Sequence, residues 1–230
     1  MNRVISGYGV GALMYCPANM HGTIVESLQK EQFGKPFSLA FCLEDTVHEN
    51  AVEEAEQYLY KTLESIQKAK AARDFYMPLI FIRIRSVQQL EKLASVYSVF
   101  SDILTGFIIP KFFIENCDAY IEVITKLKNS GYQYYYMPIF ESASMIDLSS
   151  RHKNLAMVKD KLETVQESIL NIRVGGNDLS HAFSIRRPVN HTIYDVKPVA
   201  DILIDIVTTY GTTYVISGPV WEYYAGEGWD

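Results

Sequence analysis

Carboxylates and cations recur just beyond a series of short apolar runs. Glu44 and Asp45 follow Phe41-Cys42-Leu43, Arg83 and Arg85 close the run 79–84, and Lys111 follows Ile108-Ile109-Pro110. Glu141 follows the run 134–140 directly, Asp178 follows Val174-Gly175-Gly176-Asn177, and Glu222 lies beyond a last run ending near residue 217. If those runs are parallel strands of one sheet, residues far apart in sequence become neighbours at a single rim. Carboxylates there would supply hard oxygen ligands, and the guanidinium and ammonium groups would meet anions. Strand ends are also simply where polar loops begin, and spacing alone leaves that alternative open.

Glu141 and Asp178 have the sharpest pattern. Two carboxylates with room left for waters and substrate oxygens suit Mg²⁺, which seldom takes an all-protein cage. Gly175 and Gly176 permit close approach of backbone or ligand, although Gly-Gly-Asn-Asp is also a tight turn with a helix cap. Arg83 lies in Phe81-Ile82-Arg83-Ile84-Arg85. A guanidinium in so apolar a run needs an anionic partner or a path to solvent. A substrate carboxylate would serve, and so would Glu44 or Asp45.

The elements that must position these residues follow from periodicity. Runs at 12–17, 38–43, 79–84, 106–110, 134–140, 171–175 and 213–217 read as strands alternating with segments of helical period. Apolar residues occupy both strand faces, as expected where helices cover a parallel sheet. Ser86-Val87-Gln88-Gln89 opens a helix towards Ser98, and Gly131 stops the helix 115–129. Pro198 starts a helix with an apolar stripe at Val199, Ile202, Leu203, Ile206 and Val207.

Six repeats between residues 12 and 213 take about 33 residues each, against about 31 if ~250 residues make eight units. An eighth strand would begin near residue 246, past Asp230. The expected fold is α/β, a (β/α)8 TIM-barrel type without its eighth strand and C-terminal helix, and a single domain over residues 1–230. A seven-stranded barrel leaves the first and seventh strands with unpaired edges, so association through them or local disorder around 213–230 is expected.

Other classes recede. The 230 residues carry a net charge of −6 and no run of Lys and Arg, which argues against nucleic acid. No N-terminal apolar segment and no membrane-length apolar run appears, so membranes are not expected and the cytoplasm is. Cys16, Cys42 and Cys117 lack disulfide or metal spacing and read as small apolar core residues. The glycines of Gly7-Tyr8-Gly9-Val10-Gly11 precede the first strand instead of following it, which excludes a dinucleotide loop. Of the five histidines only His181, three residues past Asp178, belongs near the rim.

The ordered set Ala12-Leu13-Met14-Tyr15-Cys16-Pro17-Ala18, Cys42-Leu43-Glu44-Asp45-Thr46-Val47, Ile82-Arg83-Ile84-Arg85, Ile109-Pro110-Lys111, Pro138-Ile139-Phe140-Glu141-Ser142 and Gly175-Gly176-Asn177-Asp178-Leu179 resembles the HpcH/HpaI aldolase and citrate lyase β-subunit superfamily. It is most similar to the C–C bond lyase branch of tellurite-resistance and stress operons, as is the segment Ile216-Ser217-Gly218-Pro219-Val220-Trp221-Glu222-Tyr223.

The resemblance implies a TIM barrel binding Mg²⁺ through Glu141 and Asp178, a homo-oligomer, and a substrate that is a small hydroxy acid or its acyl-CoA-type thioester. Arg83 matches the arginine that grips the substrate carboxylate, with Lys111, Gly175 and Gly176 lining the same place. Glu44 and Asp45 match the acidic pair that orients metal-bound water or neighbouring cations. Gly11 stands where many relatives carry arginine and Cys42 where they carry the first aspartate of an Asp-Leu-Glu-Asp run, departures that bear on coenzyme A. A degenerate barrel serving as a binding or assembly subunit is the alternative function, and a phosphoenolpyruvate-utilising barrel enzyme a third.

Overall fold

In the computed structural model, which describes residues 5–19, 23–188 and 190–219, the apolar runs become parallel strands in sequential order. They are β1 (Ala12–Pro17), β2 (Phe37–Cys42), β3 (Leu79–Arg83), β4 (Leu104–Ile109), β5 (Tyr135–Phe140), β6 (Ile172–Val174) and β7 (Ile216–Ser217). The helices are α1 (Thr23–Gln29), α2 (Val52–Ala72), α3 (Val87–Val96), α4 (Cys117–Asn129), α5 (Arg151–Glu163), α6 (Gly176–Ala182) and α7 (Lys197–Tyr210). Every neighbouring strand pair is parallel, from β1–β2 through β6–β7, and β1 does not pair with β7. This is the curled, incomplete barrel expected from the repeat, with no eighth strand among the described residues.

Strand alternation sorts the apolar side chains into two layers. Leu39, Phe41, Ile80, Ile82, Phe107, Ile109, Tyr136, Phe140 and Ile172 face the helices, while Ala40, Phe81, Ile108, Met137 and Ile139 fill the barrel interior. Val10, from the single-turn helix Gly7–Val10 ahead of β1, joins the interior layer, and Ser38 ties it down by donating to the Val10 carbonyl at 2.6 Å. Those N-terminal glycines therefore plug the barrel floor instead of cradling a ligand. Gly7 is packed so closely that a Cβ would meet the Leu170 carbonyl at 2.5 Å.

The helices form where capping and pattern direct. Ser86 accepts from the Gln89 amide at 3.1 Å and opens α3, whose Leu90, Leu93 and Ala94 are buried. The α-helix ends at Val96, and the last turn to Phe100 tightens to 3-10 geometry. Gly131, with φ 89°, stops α4 in the left-handed conformation that glycine tolerates. Val199, Ile202 and Ile206 of α7 are buried, but Val207 is 52% exposed and Tyr210 takes its place, because the stripe follows 3.6 residues per turn. Thr213 and Tyr214 still belong to the turn that closes α7, so β7 is shorter than the apolar run suggests. Cys42 and Cys117 are buried and Cys16 half-buried, all three free.

Candidate active site

The C-terminal ends of β2, β3, β4 and β5 and the first turn of α6 meet at one mouth. Arg83, on the inward phase of β3, places its guanidinium 2.7 Å from Glu44, 2.9 Å from Asp45 and 3.3 Å from Glu141. Lys111 follows β4 with a left-handed φ of 50°, which turns its amide onto Glu141 Oε1 at 3.1 Å. Its Nζ lies 2.6 Å from Glu44 and 3.9 Å from both Asp45 and Asp178. Glu44, Asp45, Arg83, Lys111, Glu141 and Asp178, drawn from five separate stretches of chain, thus form one cluster.

Gly175 makes the cluster possible. A Cβ there would sit 1.9 Å from Glu141 Oε2 and 2.5 Å from Glu141 Cβ. The close approach that the paired glycines allow is made by the Glu141 side chain itself. Gly176 begins α6 and packs against Ile193 and Pro219, leaving Asp178 in the first turn with its side chain 36% exposed.

Glu141 is only 6% exposed, and burial pushes its pKa up to about 7. Arg83 opposes that rise and Asp178 adds to it. Burial likewise raises Glu44. Asp45 is desolvated too, but its hydrogen bond with Glu44 and the charges of Arg83 and Lys111 hold it below its ordinary value. Despite its own desolvation, Lys111 is raised by Glu44, Asp45 and Asp178. Four carboxylates against two cations leave a formal excess of two negative charges when all are ionised.

No group of three or more His, Cys, Asp or Glu that could hold a metal occurs among the described residues. Mg²⁺ needs no such group, since one or two carboxylates completed by water and substrate suffice. The hard oxygen donors, the uncompensated negative charge and the solvent-open Asp178 fit a divalent cation.

Arg85 does not join the cluster. It turns to the loop after β2, donating to the carbonyls of Leu43 at 2.7 Å, Glu44 at 2.8 Å and Val47, and so fixes the loop that carries Glu44 and Asp45. His181 is exposed beside Asn177 and Arg186 around a cavity of about 670 Å³ next to the mouth. Glu222 lies outside the described residues.

Two residues escaped sequence reasoning, Arg173 in β6 and Tyr15 in β1. Arg173 is 8% exposed and its charge reaches the buried Tyr15 phenol, while the Arg83 Cζ lies 5.9 Å from the centroid of the Tyr15 ring. The available signal was alternation, since Ile172 and Val174 flank Arg173 and take the outward phase.

A parallel, sequentially ordered β/α sheet with an acidic, cation-laced mouth at its C-terminal strand ends defines a TIM-barrel enzyme scaffold. The chain belongs to the C–C bond lyase family of the TIM-barrel fold, whose model matches residues 4–228. Among solved structures it is similar to the citrate lyase β subunit from M. tuberculosis complexed with oxaloacetate and magnesium, at TM-score 0.56 and 13% identity over 93% of this chain and 79% of that one. It is also similar to protein CitE from M. tuberculosis in complex with magnesium, acetoacetate and coenzyme A, at TM-score 0.57 and 15% identity over 93% of this chain and 66% of that one. No curated protein matches significantly. No helix among the described residues is long and apolar enough to cross a membrane.

Proposed function

We propose that the chain is a Mg²⁺-dependent carbon–carbon bond lyase, acting on a small hydroxy acid or its acyl thioester. The observation that carries this reading is the buried Glu141 carboxylate, linked to Asp178 through Lys111, in a mouth whose charges are left two short of neutrality. Glu141 and Asp178 would hold the metal. When bound, Mg²⁺ would supply Lewis-acid polarisation of the carbonyl that forms on cleavage.

The chain's own residues account for the rest. Arg83, clamped by three carboxylates, fixes Glu44, Asp45 and Glu141 relative to one another and presents positive charge to a substrate carboxylate. Glu44 and Asp45 orient water and the neighbouring cations, and Lys111 brings a mobile ammonium to the rim. Gly175 and Gly176 line the mouth, Gly175 leaving its Cβ space to the Glu141 carboxylate. In cleavage, the hydroxyl proton passes to a general base as its carbon becomes a carbonyl, the carbon–carbon bond breaks, and its electron pair passes to the other fragment as an enolate. The cationic groups of the mouth stabilise that charge.

A single domain, a homo-oligomer, a cytoplasmic setting and a place among tellurite-resistance or stress operons complete the reading. The magnesium, oxaloacetate, acetoacetate and coenzyme A bound by the M. tuberculosis structures support its ligand classes. A thermal-shift screen of hydroxy acids, keto acids and acyl thioesters, with and without Mg²⁺, tests it, because ligands that bind the native state raise its stability. Stabilisation by Mg²⁺ that deepens with a hydroxy or keto acid is expected. No response to Mg²⁺ would favour the alternative, a degenerate barrel acting as a binding or assembly subunit.

A further inference from the structure

Arg173 lies on the inward phase of β6, paired with Ile139 of β5 and Ser217 of β7. Glu141 follows Ile139 by two residues on the same face, so Arg173 sits one inward layer below the mouth, about 6–7 Å deeper. Its Nη1 is 3.2 Å from Ser217 Oγ, and its charge lies close enough to the Tyr15 phenol to oppose the rise that burial causes there.

What sets Arg173 apart is charge. Arg83, the other guanidinium against Tyr15, is matched by three carboxylates, whereas Arg173 makes no ion pair with any described residue. A guanidinium 8% exposed, beside which the described residues place only neutral hydroxyls, has donors beyond the one given to Ser217 in a place where a lone charge is costly. The Tyr15 O–H is free to donate into the interior, and burial keeps that proton on the phenol. The Ser217 hydroxyl can donate in the same way. Three donors of this kind match the lone pairs of one carboxylate.

We propose that Arg173, Tyr15 and Ser217 form a carboxylate-binding subsite one layer beneath the mouth, which takes a second acid group of the substrate and selects diacids over monoacids. This deepens the lyase reading and rests on it, since the first acid or keto group occupies the mouth above. Arg83 then serves the mouth and Arg173 the layer beneath it.

Isothermal titration of the full chain with Mg²⁺ should show 2-oxoglutarate binding at least about tenfold more tightly than 2-oxopentanoate, which lacks only the second carboxylate. Arg173→Met should bring the two acids to within about twofold and leave Mg²⁺ affinity unchanged. Should Arg173→Met fail to fold, Tyr15→Phe, which removes one oxygen and opens no cavity, should narrow the ratio by about threefold. Equal binding of the two acids by the wild type, or a preference unchanged in either variant, overturns the subsite. A wild type that binds no Mg²⁺ overturns the metal reading instead. Succinate titrated without metal then decides separately: binding weakened by Tyr15→Phe or Arg173→Met supports the subsite, and binding that is absent or unaffected refutes it.

Discussion

Arg83 reaches Glu141 with one guanidinium nitrogen at 3.3 Å, and the same nitrogen lies 2.7 Å from Glu44. One planar fork therefore joins the end of β2 to the end of β5 through β3, and its Nε is left without a hydrogen-bond partner among the described residues. Arg83→Lys should break this junction, because a point charge cannot reproduce the fork. Circular dichroism should show a retained fold, while titration calorimetry should show substrate affinity falling by about tenfold or more. Unaltered affinity would withdraw Arg83 from substrate binding.

Metal binding depends on the paired carboxylates. Glu141→Gln and Asp178→Asn should each weaken Mg²⁺ binding by at least about an order of magnitude, since one or two carboxylates usually supply all the protein ligands. Calorimetric Mg²⁺ titration checks this, and a wild-type affinity in either variant would remove that residue from the site.

Gly175→Ala places a methyl group 1.9 Å from the Glu141 carboxylate. Glu141 must move or β6 must shift, so Mg²⁺ affinity and stability should fall together, the latter by about 1–3 kcal/mol. The Gly175→Ala, Glu141→Gln double variant is expected to be less than additive, because both changes act on one contact.

The raised Glu141 pKa carries a definite sign. Its folded value of about 7 exceeds the ordinary 4.5, so the native state binds more protons than the unfolded chain between those limits. Its contribution to metal-free stability is fully present below pH 4.5 and is lost as pH rises through about 7, by roughly 3 kcal/mol at most. Wild type minus Glu141→Gln, compared in urea melts at pH 5 and pH 8 without metal, should show wild type losing stability relative to the variant. Mg²⁺ at pH 8 should restore it. A pH-independent difference would contradict the burial of an ionisable Glu141.

Away from the mouth, Arg151 of α5 is 3% exposed and pairs with Asp205 of α7 at 2.8 Å. Asp205→Ala should cost about 3–5 kcal/mol by leaving a buried guanidinium uncompensated. Chemical denaturation measures it, and Mg²⁺ affinity of the folded fraction should be unchanged, as the pair lies in the helical layer.

The sequence by itself determined the β/α repeat, because parallel strands buried on both faces need continuous apolar runs, and those runs are visible in one dimension. It also marked Glu44, Asp45, Arg83, Lys111, Glu141 and Asp178, since each lies at or just past the end of a run that must reach the same rim. What only the tertiary structure decided was direction and pairing. Arg83 and Arg85 are two residues apart and share a strand phase, yet Arg83 enters the mouth while Arg85, beyond the last residue of β3, swings back to the Leu43, Glu44 and Val47 carbonyls. Val207 lies on the predicted stripe but faces solvent, and Arg173 was hidden in a three-residue strand. A side chain's partners depend on strands brought together across scores of residues, and no local pattern records which of two arginines will find carboxylates and which will be buried without one.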